Sequence, residues 1–366
     1  MRAFYLAGKS SLSLNALLPK PMSVMGAYAQ ISSKDPNFTQ MQPYLDDLLR
    51  QPGDLPVFAV ALMPVEGLAN ITQDVANSIA AKMAALNAQN ITVWLRYAHE
   101  MNGDWYAWGQ QPAAFVASWN MVSAAVHAAA PSTYMLWSPN SLFATNNETS
   151  NAIGGYDPYW PDPDSVDLVG LSFYHYGSQQ RLNNLPDPDE AWLTMNRFDA
   201  LYGSGQNKSF VLSETGAAYT RDPTTGVPAP GDASESDIKW NWLWQISGPS
   251  ISQTLPFFKA FCWFEVLKDE TAAGNTPVKE EDFRMITGNP AVSVGTINYI
   301  KEPSTLLNRT QPFAAANGAA AAPSNKSVSV QAKSDGGTSS ATLHWKTSGT
   351  VLPLAMAAAG TWLFSL

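Results

Sequence analysis

Cysteine is nearly absent. Cys262 stands alone, so no disulfide can form within the chain, and cysteine usage does not reveal a redox compartment. It lies in the apolar run Phe261-Cys262-Trp263-Phe264, which reads as a buried, inert thiol rather than a nucleophile. Charge is scarce as well: Asp, Glu, Lys and Arg make up 14% of the residues, and the formal net charge is −9. Phosphate binding needs clustered Lys and Arg, so nucleic acid is excluded as a partner. Phosphate-cradling Gly loops and Cys/His metal clusters are missing, and no cofactor is required. There is no internal repeat.

What the chain does have is apolar and aromatic. Hydrophobic residues make up 45% of 366, enough for the core of one large barrel or two smaller domains. Thirteen Trp and thirteen Tyr exceed the needs of a core, and many fall in expected loops. Flat aromatic surfaces in loops suit the C–H faces of sugar rings. For any single Trp, filling a core is an equally good reading.

The C-terminal end points to a location. Residues 351–366, VLPLAMAAAGTWLFSL, are mostly apolar and uncharged. A polar spacer precedes them, and before it comes the small-residue stretch 334–341, SDGGTSSA. That order is the pattern of a glycosylphosphatidylinositol attachment signal, and the tail is short for a bilayer-spanning helix of about 20 residues. The expected location is therefore extracellular, at the cell surface or wall, with membrane contact only through a lipid anchor. The opening residues Met1 to Gly8 are too short for a signal peptide, so a leader is expected ahead of this start. Sequons at Asn37, Asn70, Asn90, Asn147, Asn207, Asn308 and Asn325 give modest support for secretion.

Short apolar runs at 3–7, 22–30, 56–63, 91–97, 133–137, 166–174, 209–213 and 260–266 read as eight strands. Helical periodicity falls between them at 38–50, 71–88, 112–130, 190–201 and 238–246, with Ala favouring helix in the second and third. Eight such units predict an α/β fold, a parallel (β/α)8 TIM barrel, over residues 1–312. Residues 313–341 are Ala-, Ser- and Gly-rich and read as a flexible stalk, and 342–366 as spacer and anchor signal.

Active sites of such barrels lie at the C-terminal ends of the strands. The fourth run ends in Glu100 and the seventh in Glu214. Two facing carboxylates are the minimum apparatus for glycoside cleavage: a protonated acid for the leaving oxygen, and an ionised partner that attacks or stabilises the oxocarbenium charge. Strand alternation places Arg96, Ala98 and Glu100 on one face, where the guanidinium either holds a carboxylate or forms a structural ion pair. His99, Trp105 and Trp108 offer hydrogen bonding and desolvation. Glu214 alone reads equally as an acid of a helix's first turn.

The segment RYAHEMNGDWYAWG, residues 96–109, closely resembles the acid/base segment of glycoside hydrolase family 26. LSETG (212–216), VDLVGLSFY (166–174) and CWFE (262–265) resemble, in order, the family's nucleophile, sixth-strand and eighth-strand segments. The likeness covers about residues 3–308, and in detail the chain looks most like fungal, surface-anchored relatives of β-mannanase type. It implies a retaining endo-acting hydrolase of β-linked polysaccharide that works by double displacement. Glu100 would be acid/base and Glu214 nucleophile. His99 would hydrogen-bond near the nucleophile or the sugar, Tyr174 would position Glu214, and Trp105 and Trp263 would line the sugar subsite. His99 stands where many clan members carry Asn, as it does in family 26. The family's described members act on mannan, mixed-linkage glucan or β-1,3-xylan, and the loops 141–161 and 220–236 match none of these.

Other residues divide between two readings. Asn102 and Asp104 are sugar contacts or turn formers, as is Asn140. His175 and Tyr176 either face the cleft or do not. Glu265 is structural or sugar-binding rather than a third catalyst. A metalloprotease is set aside, because the His99-Glu100 pair lacks the second His of HExxH: position 103 is Gly103. A non-catalytic wall glycan-binding protein and a wall transglycosylase using the same two carboxylates remain alternatives. A monomer is the default.

Overall fold

The computed structural model describes residues 2–5, 11–142, 153–177, 182–270 and 279–301. The expected stalk, the anchor signal and three of the sequons (Asn147, Asn308 and Asn325) lie outside the described residues. Eight parallel strands close into a barrel: β1 (Arg2–Tyr5), β2 (Val24–Gln30), β3 (Val57–Met63), β4 (Val93–Tyr97), β5 (Thr133–Trp137), β6 (Leu168–His175), β7 (Ser209–Ala217) and, after the short β8 (Tyr219–Arg221), β9 (Phe258–Phe264). β9 pairs with β1 and completes the ring. The eight expected strands are these eight, within a few residues at each end.

Helices fill the outside of the ring. They are α1 (Ser11–Asn15), α2 (Gln42–Leu49), α3 (Gln73–Asn87), α4 (Pro112–Ala129), α5 (Glu190–Tyr202), α6 (Glu235–Ser247), α7 (Pro249–Thr254) and α8 (Pro290–Lys301). Local chemistry sets their starts. Thr72 caps α3 by accepting from the Val75 amide at 3.3 Å. Ser234 caps α6 by accepting from the Asp237 amide at 3.1 Å, and its hydroxyl donates back to the Asp237 carboxylate at 2.7 Å. Pro112 opens α4, where its missing N–H is not needed. The sequence reading missed α1, α7 and α8, as well as β8, β10 (Leu267–Glu270) and β11 (Lys279–Asp282), which form a small antiparallel sheet. β10 and β11 read LKDE and KEED, with no apolar alternation to betray a strand.

Strand parity divides the core in two. Outward residues such as Phe58, Leu62, Leu95 and Tyr97 pack beneath the helices. Inward residues such as Val57, Ala59, Trp94, Leu136, Val211 and Ala260 fill the lumen. The lumen is a packed core, so a ligand can enter only above these layers. Substituting Phe58, which is fully buried beneath the helices, by Ala should cost about 3–5 kcal/mol. Urea unfolding measures this, and a loss under about 1 kcal/mol would contradict the packing described.

Candidate active site

Two residues above the apolar layers, the inward face turns polar. Trp94 gives way to Arg96 on β4, Leu136 to Ser138 just past β5, Gly170 to Ser172 on β6, and Val211 to Ser213 on β7. Arg96 has no solvent exposure. Its Nε donates to Ser138 Oγ at 2.9 Å, Nη2 donates to Ser172 Oγ, and Nη1 donates to Glu214 Oε1. Ser138 and Ser213 share a further hydroxyl–hydroxyl bond. These serines escaped the sequence reading. Their signal was shared parity: each lies two residues above an inward apolar or glycine position.

A bulge aims Glu214. Between β6 and β7 the register runs Leu171 with Leu212, then Ser172 with Glu214, so Ser213 is an extra residue. Strict alternation would point Ser213 inward and Glu214 outward. The bulge lets both side chains face the mouth. Tyr174 then donates its hydroxyl to Glu214 Oε2 at 2.7 Å, so each carboxylate oxygen has a donor. This is the placement expected for Tyr174 and Arg96.

Glu100 arrives by a different device. Ala98 and Glu100 have φ of 46° and 54°, in the left-handed region, where a side chain costs roughly 1–2 kcal/mol. The ladder bonds persist: the Ala98 amide donates to Leu62 at 2.9 Å and the Glu100 amide to Ser138 at 2.8 Å. The alternation predicted for Arg96, Ala98 and Glu100 therefore ends at Tyr97, yet the turn still delivers Glu100 to the mouth. Its Oε1 lies 3.9 Å from Arg96 Nη2, and its Oε2 accepts from Trp105 Nε1 at 2.9 Å. Burial, then the charge of Glu214, push the Glu100 carboxyl up to about 7 against the opposing pull of Arg96. Half-buried Trp105 folds back over its own loop. A Cβ at Gly103 would come within 2.4 Å of the Trp105 ring, so only glycine leaves room there.

Other expected ligands are built into the structure instead. Trp263 lies on the outward face of β9, fully buried, with Nε1 donating to the Phe283 carbonyl at 2.7 Å. It is not at the cleft; the inward neighbours are Cys262 and Phe264. His175 is outward by the same parity on β6. Its Nδ1 lies 3.1 Å from Glu190 and its Nε2 3.0 Å from the Asn184 carbonyl, so it braces the start of α5. Trp108 is buried, stacked on Tyr106 at 4.2 Å, and donates to the His99 carbonyl at 2.7 Å.

Asn102 and Asn140 fill the turn role. Asn102 accepts from the Asn140 amide at 2.8 Å and donates to the carbonyls of Asn140 and Gly154 at 2.9 and 3.1 Å. The Asn140 side-chain amide donates to the Ser141 carbonyl at 2.8 Å. Asp104 is exposed. Glu265 accepts from the amides of Met285, Ile286 and Thr287, the structural role weighed for it. Tyr176 is exposed beside Tyr174, at a ring separation of 5.6 Å. His99 is buried among Tyr28, Tyr106 and Trp108, and burial with nearby Arg96 holds its imidazole well below its usual value. It bonds neither carboxylate. Cys262 is buried, and its thiol is pushed up to about 12, which fits an inert role.

Comparison with known proteins gives the same fold. The sequence model of Glycosyl hydrolase family 26 matches residues 61–187, which include Glu100 and β6 but stop short of Glu214. No curated protein sequence matches the chain. Among solved structures, a modular endo-β-1,4-mannanase from Cellulomonas fimi is similar at 14% identity and TM-score 0.55, over 88% of this chain and 75% of that one. The catalytic domain of the Bacillus sp. JAMB-750 endo-β-1,4-mannanase follows at 14% and 0.54, over 83% and 86%. A structure from a study of two fungal β-1,4-galactanases stands at 12% and 0.53, over 80% and 92%. Identities this low establish the barrel alone.

Removing Arg96 tests the site's construction. Arg96→Met should destabilise the protein by about 3–5 kcal/mol at pH 7, since it strands the buried Glu214 carboxylate without its cation. The double variant Arg96→Met/Glu214→Leu should recover most of that loss in chemical unfolding. Equal losses in both variants would show that the ion pair does not hold the site.

Proposed function

We propose that this chain, with a family 26 segment at its centre, is a retaining, endo-acting glycoside hydrolase of β-linked polysaccharide. The observation that carries the reading is the unequal treatment of two carboxyls at one barrel mouth. Glu214 receives a guanidinium and a phenol, one on each oxygen, while Glu100 receives an indole N–H and sits at the far reach of the same guanidinium. A carboxyl pushed up to about 7 keeps its proton near neutrality and can deliver it to a leaving glycosidic oxygen. A carboxylate held by a donor on each oxygen is fixed in one orientation, as a nucleophile aimed at the anomeric carbon must be.

In the double displacement, Glu214 bonds to the anomeric carbon as Glu100 protonates the departing oxygen. Glu100, now a carboxylate, then takes a proton from the water that cleaves the glycosyl–enzyme bond. One guanidinium reaching both carboxyls favours the short separation, about 5–5.5 Å, of retaining enzymes over the wider gap that admits a water. Tyr174 fixes the rotamer of Glu214. Trp105, half-buried and bonded to Glu100, lies beside the leaving-group side and is the indole best placed to meet a sugar. The endo-β-1,4-mannanases among the structural neighbours, with the family match, favour β-1,4-mannan as first substrate to try.

The test is release of reducing ends from mannan, galactomannan, β-1,3-glucan, mixed-linkage glucan and β-1,3-xylan. One polymer should be cleaved, with Glu100→Ala lowering the rate about 10²–10⁴-fold and Glu214→Ala abolishing it. Transfer products instead of reducing ends would identify a transglycosylase. Binding without cleavage by wild type would overturn the hydrolase reading. The pH dependence has a defined sign. The acid form of Glu100 is lost as pH rises through about 7, so kcat/KM should fall on that side. Glu214→Gln removes the like charge and should move this limb of the residual activity to lower pH; a limb that stays in place would contradict the coupling.

A further inference from the structure

On the outer face of the helix layer, α6 carries Trp240, Trp242 and Trp244. Trp242 turns inward and donates to Thr215 Oγ1 at 2.9 Å, which fixes the helix against β7. Trp240 and Trp244 turn outward, 37% and 56% exposed, into an open groove of about 610 Å³ between α6 and α8. Leu185, Asp237, Asn241 and Tyr299 complete most of its lining.

The rings are braced rather than loose. A Cβ at Gly295 would come within 2.1 Å of the Trp240 ring, so the indole lies directly on the α8 backbone. Trp240 Nε1 also donates to the Val292 carbonyl at 3.3 Å. Trp244 meets Tyr299 edge-on, centroids 6.0 Å apart at 63°, and the Tyr299 hydroxyl bonds Ser247 at 3.0 Å. Exposed aromatics held in one orientation lose little entropy when a ligand arrives.

We infer that this groove is a second carbohydrate-binding site, which takes a chain of neutral pyranose rings on the outside of the barrel. Charge selects that occupant. Among the lining residues Asp237 is the one ionisable group apart from the Tyr299 phenol, and no Lys or Arg is present, so neither a polyanion nor an acidic peptide is favoured. Two fixed indole faces a helical turn apart match the C–H faces of successive sugars, and Asp237 and Asn241 supply hydrogen-bonding groups at the edge for hydroxyls. The volume lies within the ~300–1,000 Å³ typical of ligand clefts. The site stands on its own geometry; only the choice of a neutral glycan leans on the hydrolase reading. Held there, a polymer would stay tethered to the protein's own surface, which raises the local substrate concentration.

The full chain is tested by pull-down on insoluble mannan, β-1,3-glucan and mixed-linkage glucan. Wild type and Glu214→Ala should be retained alike on at least one polymer. Trp240→Ala/Trp244→Ala should lose about tenfold in retention, while its hydrolysis of a short soluble oligosaccharide changes less than twofold. Trp244→Ala alone, at the more exposed ring, should lose part of the retention and keeps the test valid if the double variant fails to fold. Unchanged retention in the Trp variants, no retention of wild type on any polymer, or a dimer that becomes a monomer on substitution would overturn the inference. Failure of the hydrolase reading shows separately, as wild type that releases no reducing ends.

Discussion

A guanidinium with no contact to solvent cannot shed its proton, so its surroundings must answer a full positive charge. In this barrel Arg96 is answered by one carboxylate, Glu214, and by two serine hydroxyls from neighbouring strands. Four strands, β4 to β7, are thereby fixed relative to one another at the level where the lumen ends. The bulge at Ser213 brings Glu214 to the cation, and the left-handed turn at Ala98 and Glu100 brings the second carboxyl to the same group. Burying charge is costly, and the ion pair adds little net stability against an apolar replacement. What it supplies is asymmetry: the one cation bonds Glu214 directly and lies at the far reach of Glu100, whose carboxyl is pushed up against its pull by burial and the Glu214 charge.

That asymmetry explains why the chemistry sits where it does. Below Arg96 the lumen is closed by Trp94, Leu136 and Val211, so no solvent reaches the carboxyls from beneath. Above it, Tyr174, Tyr176, Phe264 and Phe283 build an aromatic wall beside Glu214, and Trp105 bonds Glu100 from its own loop. A partly dry mouth strengthens each of these interactions relative to water.

The barrel was legible in the sequence because eight apolar runs, each followed by polar loop chemistry, can close only in a few ways. Glu100, Glu214 and Arg96 were legible because each terminates a strand or sits on its inward face, whereas Tyr174 was named only through the likeness of residues 166–174 to the family 26 sixth-strand segment. Failures came where parity was not followed residue by residue. Trp263 and His175 sit at strand ends rich in aromatics, yet each is one residue out of phase with the lumen. The structure gives both to the layer beneath the helices. Glu214 is the converse: simple alternation from Ser213 would have turned it outward, and only the bulge, invisible in LSETG, rescues it. The β10–β11 sheet was hidden because cross-strand ion pairs, Lys268 with Glu281 and Lys279 with Glu270, each at 3.6 Å, join it, rather than an apolar stripe.

The central claim is that burial and the charge of Glu214 together keep the Glu100 carboxyl protonated near neutrality, and carboxyl-carbon NMR titration of the resting protein tests it without any substrate. The account predicts that the Glu100 signal titrates near 7 and moves to lower pH in Glu214→Gln, where the like charge is gone. A Glu100 signal that titrates near the ordinary ~4.3 of a free glutamate, unmoved by the substitution at Glu214, would contradict it.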